Sequence, residues 1–243
     1  MSVWHWASLA LALASAVPAA AAQYVAALTD PNLPAVLVFR VPYAVLEVVG
    51  TDRADVEVEM HGMRSGNAET VSIPPVVQGN RVEILHPLNT ILLEIRIAVP
   101  RRSDLFLHGS NGGVIRVVDV NGSIEIVNSN AGVELVRVAG NASVSTSNGA
   151  ILAEFIRLDV GATASLVTSN GAIVVTLPEG FEGRVLAESD TGPIESDFAV
   201  TLEPAVGLTR PGRVLSGRIG AGGPLLRLRT ENAGIKLVRA SED

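Results

Sequence analysis

Apolar and polar residues alternate with a period of two along short stretches separated by Gly, Asn and Pro. Ile124-Glu125-Ile126, Val133-Glu134-Leu135, Ala142-Ser143-Val144-Ser145 and Ile235-Lys236-Leu237 each put aliphatic side chains on one face and polar ones on the other, as a half-buried strand requires. Earlier in the chain the same alternation appears in Val45-Leu46-Glu47-Val48, Val56-Glu57-Val58-Glu59, Arg81-Val82-Glu83-Ile84 and Leu92-Leu93-Glu94-Ile95-Arg96-Ile97. No window carries a 3.6-residue apolar stripe with caps, so the pattern predicts an all-β chain without helices after its first segment.

The strands are punctuated at a fixed interval. Ser110-Asn111-Gly112-Gly113-Val114 returns as Ser129-Asn130-Ala131-Gly132-Val133, Ser147-Asn148-Gly149-Ala150-Ile151 and Ser169-Asn170-Gly171-Ala172-Ile173. Asp190-Thr191-Gly192-Pro193-Ile194 is a weaker copy and Glu231-Asn232-Ala233-Gly234-Ile235 the last. The Asn or Thr positions lie about 19, 18, 22, 21 and 41 residues apart, the final gap being close to two periods. Between the phrases stand Val120-Asn121-Gly122, Val138-Ala139-Gly140, Val160-Gly161 and a group made by Gly217, Gly220 and Gly222. Each period thus reads as two short strands and two Gly-bearing corners, with the Asn-Gly pairs expected to supply positive φ.

Hairpins would need no matching residue at a long period, whereas a solenoid places the same residue at the same corner of successive coils, about 4.8 Å apart. The recurrent Asn therefore predicts a β-solenoid in which Asn111, Asn130, Asn148, Asn170 and Asn232 form a ladder of side-chain amides. Energetics favour repetition. A coil burying four or five aliphatic side chains gains roughly 10 kcal/mol, and ordering about twenty residues costs at least as much, so one coil cannot stand alone. Residues 23 to about 100 are less regular: Pro74-Pro75 and Gln78-Gly79-Asn80 interrupt them, and Val99-Pro100 stops a strand before Arg101-Arg102. They are expected to form irregular coils or a cap continuous with the regular repeats of 101–243, which makes 23–243 a single solenoid domain.

These phrases resemble the bacterial putative-adhesin domain family of unknown function, a toast-rack type β-solenoid related to the head-GIN-domain putative adhesins. The matching pieces are Ile97-Ala98-Val99-Pro100, the four Asn corners from Asn111 to Asn170, Val175-Thr176-Leu177-Pro178, Ile219-Gly220-Ala221-Gly222 and Asn232-Ala233-Gly234-Ile235. The likeness is strongest from about residue 92 to 238, and it implies a fold and an exported or envelope-associated protein, with no catalytic residues to carry over. The chain departs from the pattern at Ala131, Pro193 and Ala233, where the corner Gly is displaced or followed by Pro.

Residues 1–22 stand outside this scheme. Ala7 to Ala14 is apolar, Pro18 follows, and the run ending Ala20-Ala21-Ala22 offers a small-x-small cleavage site with Gln23 as the mature start, although no Lys or Arg precedes the apolar stretch. The stretch is short for an uncleaved membrane anchor. Export follows, to the periplasm, the cell surface or the medium. No later segment is apolar and long enough to span a bilayer, and both tryptophans, Trp4 and Trp6, leave with the signal.

Composition narrows the chemistry. The 243 residues include no Cys, which excludes disulfides, thiolate metal sites and a cysteine nucleophile. A formal charge of −7 with 18 Lys+Arg argues against nucleic-acid binding. His61, His86 and His108 lack paired spacing, so no metal is expected and no cofactor motif is present. Asn121-Gly122-Ser123 and Asn141-Ala142-Ser143 match a glycosylation triplet but read as turn chemistry. Glu188, Asp190, Glu195 and Asp197 are the catalytic candidates, were the chain a polysaccharide-acting β-helix enzyme; the pattern reads them as outward residues around a weak corner. Arg116, Arg137 and Arg157 take similar places in successive periods, beside Glu134 and Glu154, and predict a solvated salt-bridge ladder. Phe106 and Phe155 fall in strand patterns and are expected in the core; with no Trp left, aromatic glycan platforms are few. The sequence thus describes an exported, non-enzymatic, adhesin-like structural or interaction module, whose partner is an envelope or surface protein or a glycan. An envelope-stress sensing domain is the remaining alternative.

Overall fold

A computed structural model describes residues 22–64, 67–69, 72–86, 92–204 and 212–241. The expected signal, apart from Ala22, lies outside the described residues. From the N-terminus the strands are β1 (Ala22–Ala27), β2 (Ala35–Arg40), β3 (Ala44–Thr51), β4 (Asp55–Arg64), β5 (Asn67–Glu69) and β6 (Val76–Gln78). Next come β7 (Arg81–Leu85), β8 (Leu92–Pro100), β9 (Ser103–His108), β10 (Ile115–Val118), β11 (Ile124–Val127) and β12 (Val133–Ala139). β13 (Ala142–Thr146), β14 (Ile151–Arg157), β15 (Thr163–Thr168), β16 (Ile173–Leu177) and β17 (Gly183–Ser189) follow. The last are β18 (Ile194–Ser196), β19 (Thr201–Leu202), β20 (Arg213–Ile219), β21 (Leu225–Thr230) and β22 (Ile235–Arg239). No helix occurs among the described residues.

Two 11-stranded sheets face each other. One runs β1-β4-β8-β3-β10-β12-β14-β16-β22-β18, with β5 on β4; the other runs β19-β20-β17-β21-β15-β13-β11-β9-β2-β7-β6. Within the stack each coil gives one strand to each sheet, and neighbouring coils pair in parallel, as in β10 with β12 and β11 with β13. This is the β-solenoid that the repeat predicts. Identical register carries the core: Leu46, Ile115, Val133, Ile151, Ile173 and Ile235 lie one above another in the first sheet. Leu105, Ile124, Ala142, Ala164 and Leu226 do the same in the second. All are buried, and the inward residues from Ala26 to Leu237 belong to one continuous apolar cluster.

The coils do not stack in chain order. β2–β3 sits inside β7–β8, and β21–β22 is inserted between β15–β16 and β17–β18. The gap of 62 residues between Asn170 and Asn232 is therefore a single step in space, and the weak corner at Thr191 lies beyond Asn232. This corrects the expectation of sequential stacking. Each inserted coil has a paired strand on both sides rather than one bare edge, which protects it from fraying. Antiparallel strands finish the ends: β4 covers β8, β1 covers β4, and β20 covers β17. Val56, Val58 and Met60 of β4 are fully buried. Gly217 belongs to β20 and is not a coil corner.

The corner glycines have a different reason from the one their sequence implies. Gly112, Gly149 and Gly171 do not take positive φ; that conformation falls in the other corners, at Gly140 (φ 101°) and Gly161 (φ 87°). What the Asn-Gly corners need is room. A Cβ on Gly149 would stand 2.2 Å from the carbonyl oxygen of Ala131 in the adjacent coil, and one on Gly171 would stand 2.0 Å from that of Gly149. These are backbone atoms held by strand pairing on both sides, so neither can yield. Gly171→Ala is expected to lower the unfolding free energy by about 2–4 kcal/mol. Gly180→Ala, where a Cβ meets nothing within 4 Å, should stay within about 0.5 kcal/mol of the parent in the same denaturant titration.

Candidate interaction surface

The five corner asparagines are exposed on one edge of the stack. The side-chain Nδ2 of Asn130 donates to Oδ1 of Asn111 at 2.5 Å, Asn148 to Asn130 at 2.8 Å, Asn170 to Asn148 at 2.7 Å and Asn232 to Asn170 at 2.7 Å. Every amide in the middle of the row donates to one coil and accepts from the next. Backbone bonds run alongside, Asn148 N–H to Ser129 C=O and Asn170 N–H to Ser147 C=O, both at 2.9 Å. The displaced glycines at Ala131 and Ala233 leave this ladder unbroken. At Thr191 it ends: that hydroxyl donates to the Glu231 carbonyl at 3.1 Å.

A second, buried ladder runs behind the first. Thr146, Thr168, Thr230 and Ser189 are buried, and their hydroxyls donate to the corner carbonyls of Ala131, Gly149, Gly171 and Ala233, at 2.8–3.0 Å. Each bond crosses from one coil to the next. The Ala131 carbonyl also accepts from Asn128 Nδ2 at 3.2 Å; for the others, losing the hydroxyl would leave a carbonyl shut off from water, a cost of about 1–3 kcal/mol each. The signal is present in the sequence, because each hydroxyl stands two positions before the corner Asn or Thr. It is easily missed beside the louder Ser-Asn phrase.

The outward faces are flat walls of aligned side chains. Across the first sheet one row reads Arg96, Glu47, Arg116, Glu134, Leu152, Val174, Lys236, Glu195. Arg116 bridges Glu134 and Glu47, the latter at 3.7 Å, and Arg96 reaches Glu47 at 3.4 Å. Arg137 and Arg157 do not continue this row. Arg137 sits at a bulge with φ 50° and clasps Asp119, itself at φ 58°, its Nε donating to Oδ1 at 2.8 Å. Arg157 pairs with Asp159 at 2.9 Å. The expected single stripe is thus one ladder and two separate pairs, because β10 and β12 align Arg116 with Glu134, three positions before Arg137, while Arg157 pairs with Ala139. The hydrogen bond from Arg137 holds the Asp119 carboxyl below its ordinary value, against an opposing push from desolvation.

The four carboxylates of the enzyme reading do not converge. Glu188 lies in the second sheet and accepts from Arg229 at 2.9 Å, with Asp190 at the corner after it. Glu195 and Asp197 lie on and beyond β18 of the first sheet, where Asp197 Oδ2 accepts from the Arg239 backbone N–H at 3.2 Å. Concavities on the walls are shallow. One of about 330 Å3 is lined by Phe106, Glu125, Asn141, Ser143, Thr163 and Ser165. Phe106 is 36% exposed on that outward face, contrary to its expected place in the core, while Phe155 is buried. His86 and His108 border a second depression of about 290 Å3 beside Arg40, and His61 lies on the opposite sheet. Among the described residues no three His, Cys, Asp or Glu side chains gather as metal ligands, and no helix is long and apolar enough to cross a membrane.

The ladder makes a graded prediction at Asn148. Asn148→Ala removes one donor and one acceptor bond at an exposed site and should cost about 1–2 kcal/mol. Asn148→Asp keeps the shape but turns a carboxylate oxygen toward Asn130 Oδ1, so at neutral pH it should be less stable than Asn148→Ala. Chemical denaturation across pH checks this: the order should reverse once the new carboxyl is protonated and can donate.

No family model and no curated protein sequence matches the chain. Two crystal structures are similar to it. A putative cell adhesion protein from Clostridium sporogenes has 10% identity and a TM-score of 0.44, covering 90% of this chain and 100% of its own. A putative adhesin from Bacteroides fragilis has 7% identity and a TM-score of 0.31, covering 90% of this chain and 97% of its own.

Proposed function

We propose that the chain is an exported, non-enzymatic interaction module of the bacterial envelope or surface, which meets a protein or glycan through its flat walls. The observation that carries this reading is the layout of the outward side chains. Charged, hydroxyl and amide groups stand in rows at strand spacing on two broad faces, and the candidate carboxylates are divided between those faces. Chemistry on a substrate needs groups converging on one point in a partly enclosed site. Parallel rows instead suit an extended partner that makes many weak contacts. The motif resemblance to the adhesin-like family points the same way, and the continuous core from β1 to β22 supports residues 23–243 as one unit.

Fractionation of the native cell after crosslinking tests compartment and partner together. The protein should be found outside the cytoplasm, begin at Gln23 by mass spectrometry, and be joined to an envelope protein or polysaccharide. A cytoplasmic protein that still begins at Met1 would overturn the reading.

A further inference from the structure

The outward row of the first sheet has a symmetry that its own fold does not use. Its centre is apolar: Leu152, 44% exposed, and Val174 are neighbours in register, with Ala150 and Ala172 beside them. On one side of this centre stand Glu134 and then Arg116; on the other, Lys236 and then Glu195. Glu134 and Arg116 are ion-paired within the chain. Lys236, the one lysine of the sequence, and Glu195 make no salt bridge among the described residues, although they are adjacent in register.

We infer that this wall is the interface of a homodimer, in which two copies pack face to face with their stacks antiparallel. A two-fold axis lying in the wall, parallel to the strands and between β14 and β16, inverts the order of the coils. It sets Leu152 of one copy on Val174 of the other, Glu134 opposite Lys236, and Arg116 opposite Glu195. Apolar meets apolar at the centre, and opposite charges meet at both flanks, which is the anatomy of a specific interface. The alternative in-plane axis, along the stack, would put Lys236 on Lys236 and Arg116 on Arg116. Sliding the chosen axis to lie between β10 and β12 would keep the charges complementary but set Glu47 on Leu152. The apolar pair selects the register. Six coils at about 4.8 Å and five residues at about 3.3 Å give a wall of about 29 by 16 Å. That is at the small end for a specific interface, so the dimer is reversible and concentration-dependent.

Sedimentation velocity on the protein expressed from the full sequence, over about a thousandfold range of concentration, reads this directly. The parent should pass from monomer to dimer, and association should weaken as salt is raised. Lys236→Glu should weaken the dimer at least about tenfold, and the double exchange E134K/K236E should recover most of that loss. Leu152→Glu, at the centre, should leave only monomer. Circular dichroism and thermal unfolding of each variant separate loss of dimer from loss of fold. A parent that is monomeric throughout, a dimer that Lys236→Glu leaves intact, or folded single and double variants that associate equally poorly would each overturn the inference. None of these results bears on compartment, and a dimer through the first sheet leaves the wall of the second sheet open to an envelope partner.

Discussion

Everything in this molecule follows from how closely one coil approaches the next at the asparagine corner. Strand pairing fixes the spacing along the sheets at about 4.8 Å. The corners have to match that spacing without regular strand pairing through the turn. They do so by removing the side chain where backbone meets backbone, at Gly112, Gly149, Gly171 and Gly192, each with a carbonyl oxygen of the next coil within 2.2 Å of its absent Cβ. Once the corners touch, the Asn amides fall within hydrogen-bond reach of one another on the outside and the Thr and Ser hydroxyls reach the corner carbonyls on the inside. Two ladders, one wet and one dry, thus hang on a single steric condition.

The same condition shapes what the protein can offer a partner. Coils in strict register turn every outward position into a row, so the surface is a pair of walls with shallow relief. The ends are where a stack is vulnerable, because unpaired strand edges invite other chains. Here the first and last full coils are threaded one layer inward and covered by β7–β8 and β17–β18, with antiparallel strands beyond. At the C-terminal end Phe181 and Phe198 pack edge to face at 6.2 Å, and Arg239 lies 4.8 Å over the Phe198 ring.

Much of this was legible in the residues. Alternation in Val133-Glu134-Leu135 or Ile235-Lys236-Leu237 identifies the strands and their inward faces, and the recurrence of Asn identifies a stack rather than a meander. Other features were not legible, each for a physical reason. The role of Gly171 depends on what lies across the gap, and a local rule about left-handed φ cannot see another coil. The order of the coils is hidden because Asn232 and Thr191 are both acceptable continuations after Asn170; their choice is made by long-range pairing of β16 with β22 and of β15 with β21. The separation of Arg116 from Arg137 and Arg157 is set by register: Arg116 pairs with Glu134 and Arg157 with Ala139, and the spacing of the arginines in sequence does not follow the unequal lengths of the coils. The carboxylates at 188, 190, 195 and 197 are close in sequence, yet Glu188 and Glu195 lie on strands of opposite sheets, with Asp190 in the corner between them and Asp197 beyond β18.

The absence of cysteine from the chain gives a clean background for the most direct test of the stack. Disulfide formation requires Cα atoms about 4.4–6.8 Å apart, a distance that adjacent coils satisfy and coils two levels apart do not. Under mild oxidation, cysteines placed at 170 and 232 should crosslink readily, while cysteines at 170 and 191 should remain reduced. A fast 170–191 crosslink with none between 170 and 232 would mean that the coils follow chain order, and would contradict the architecture described.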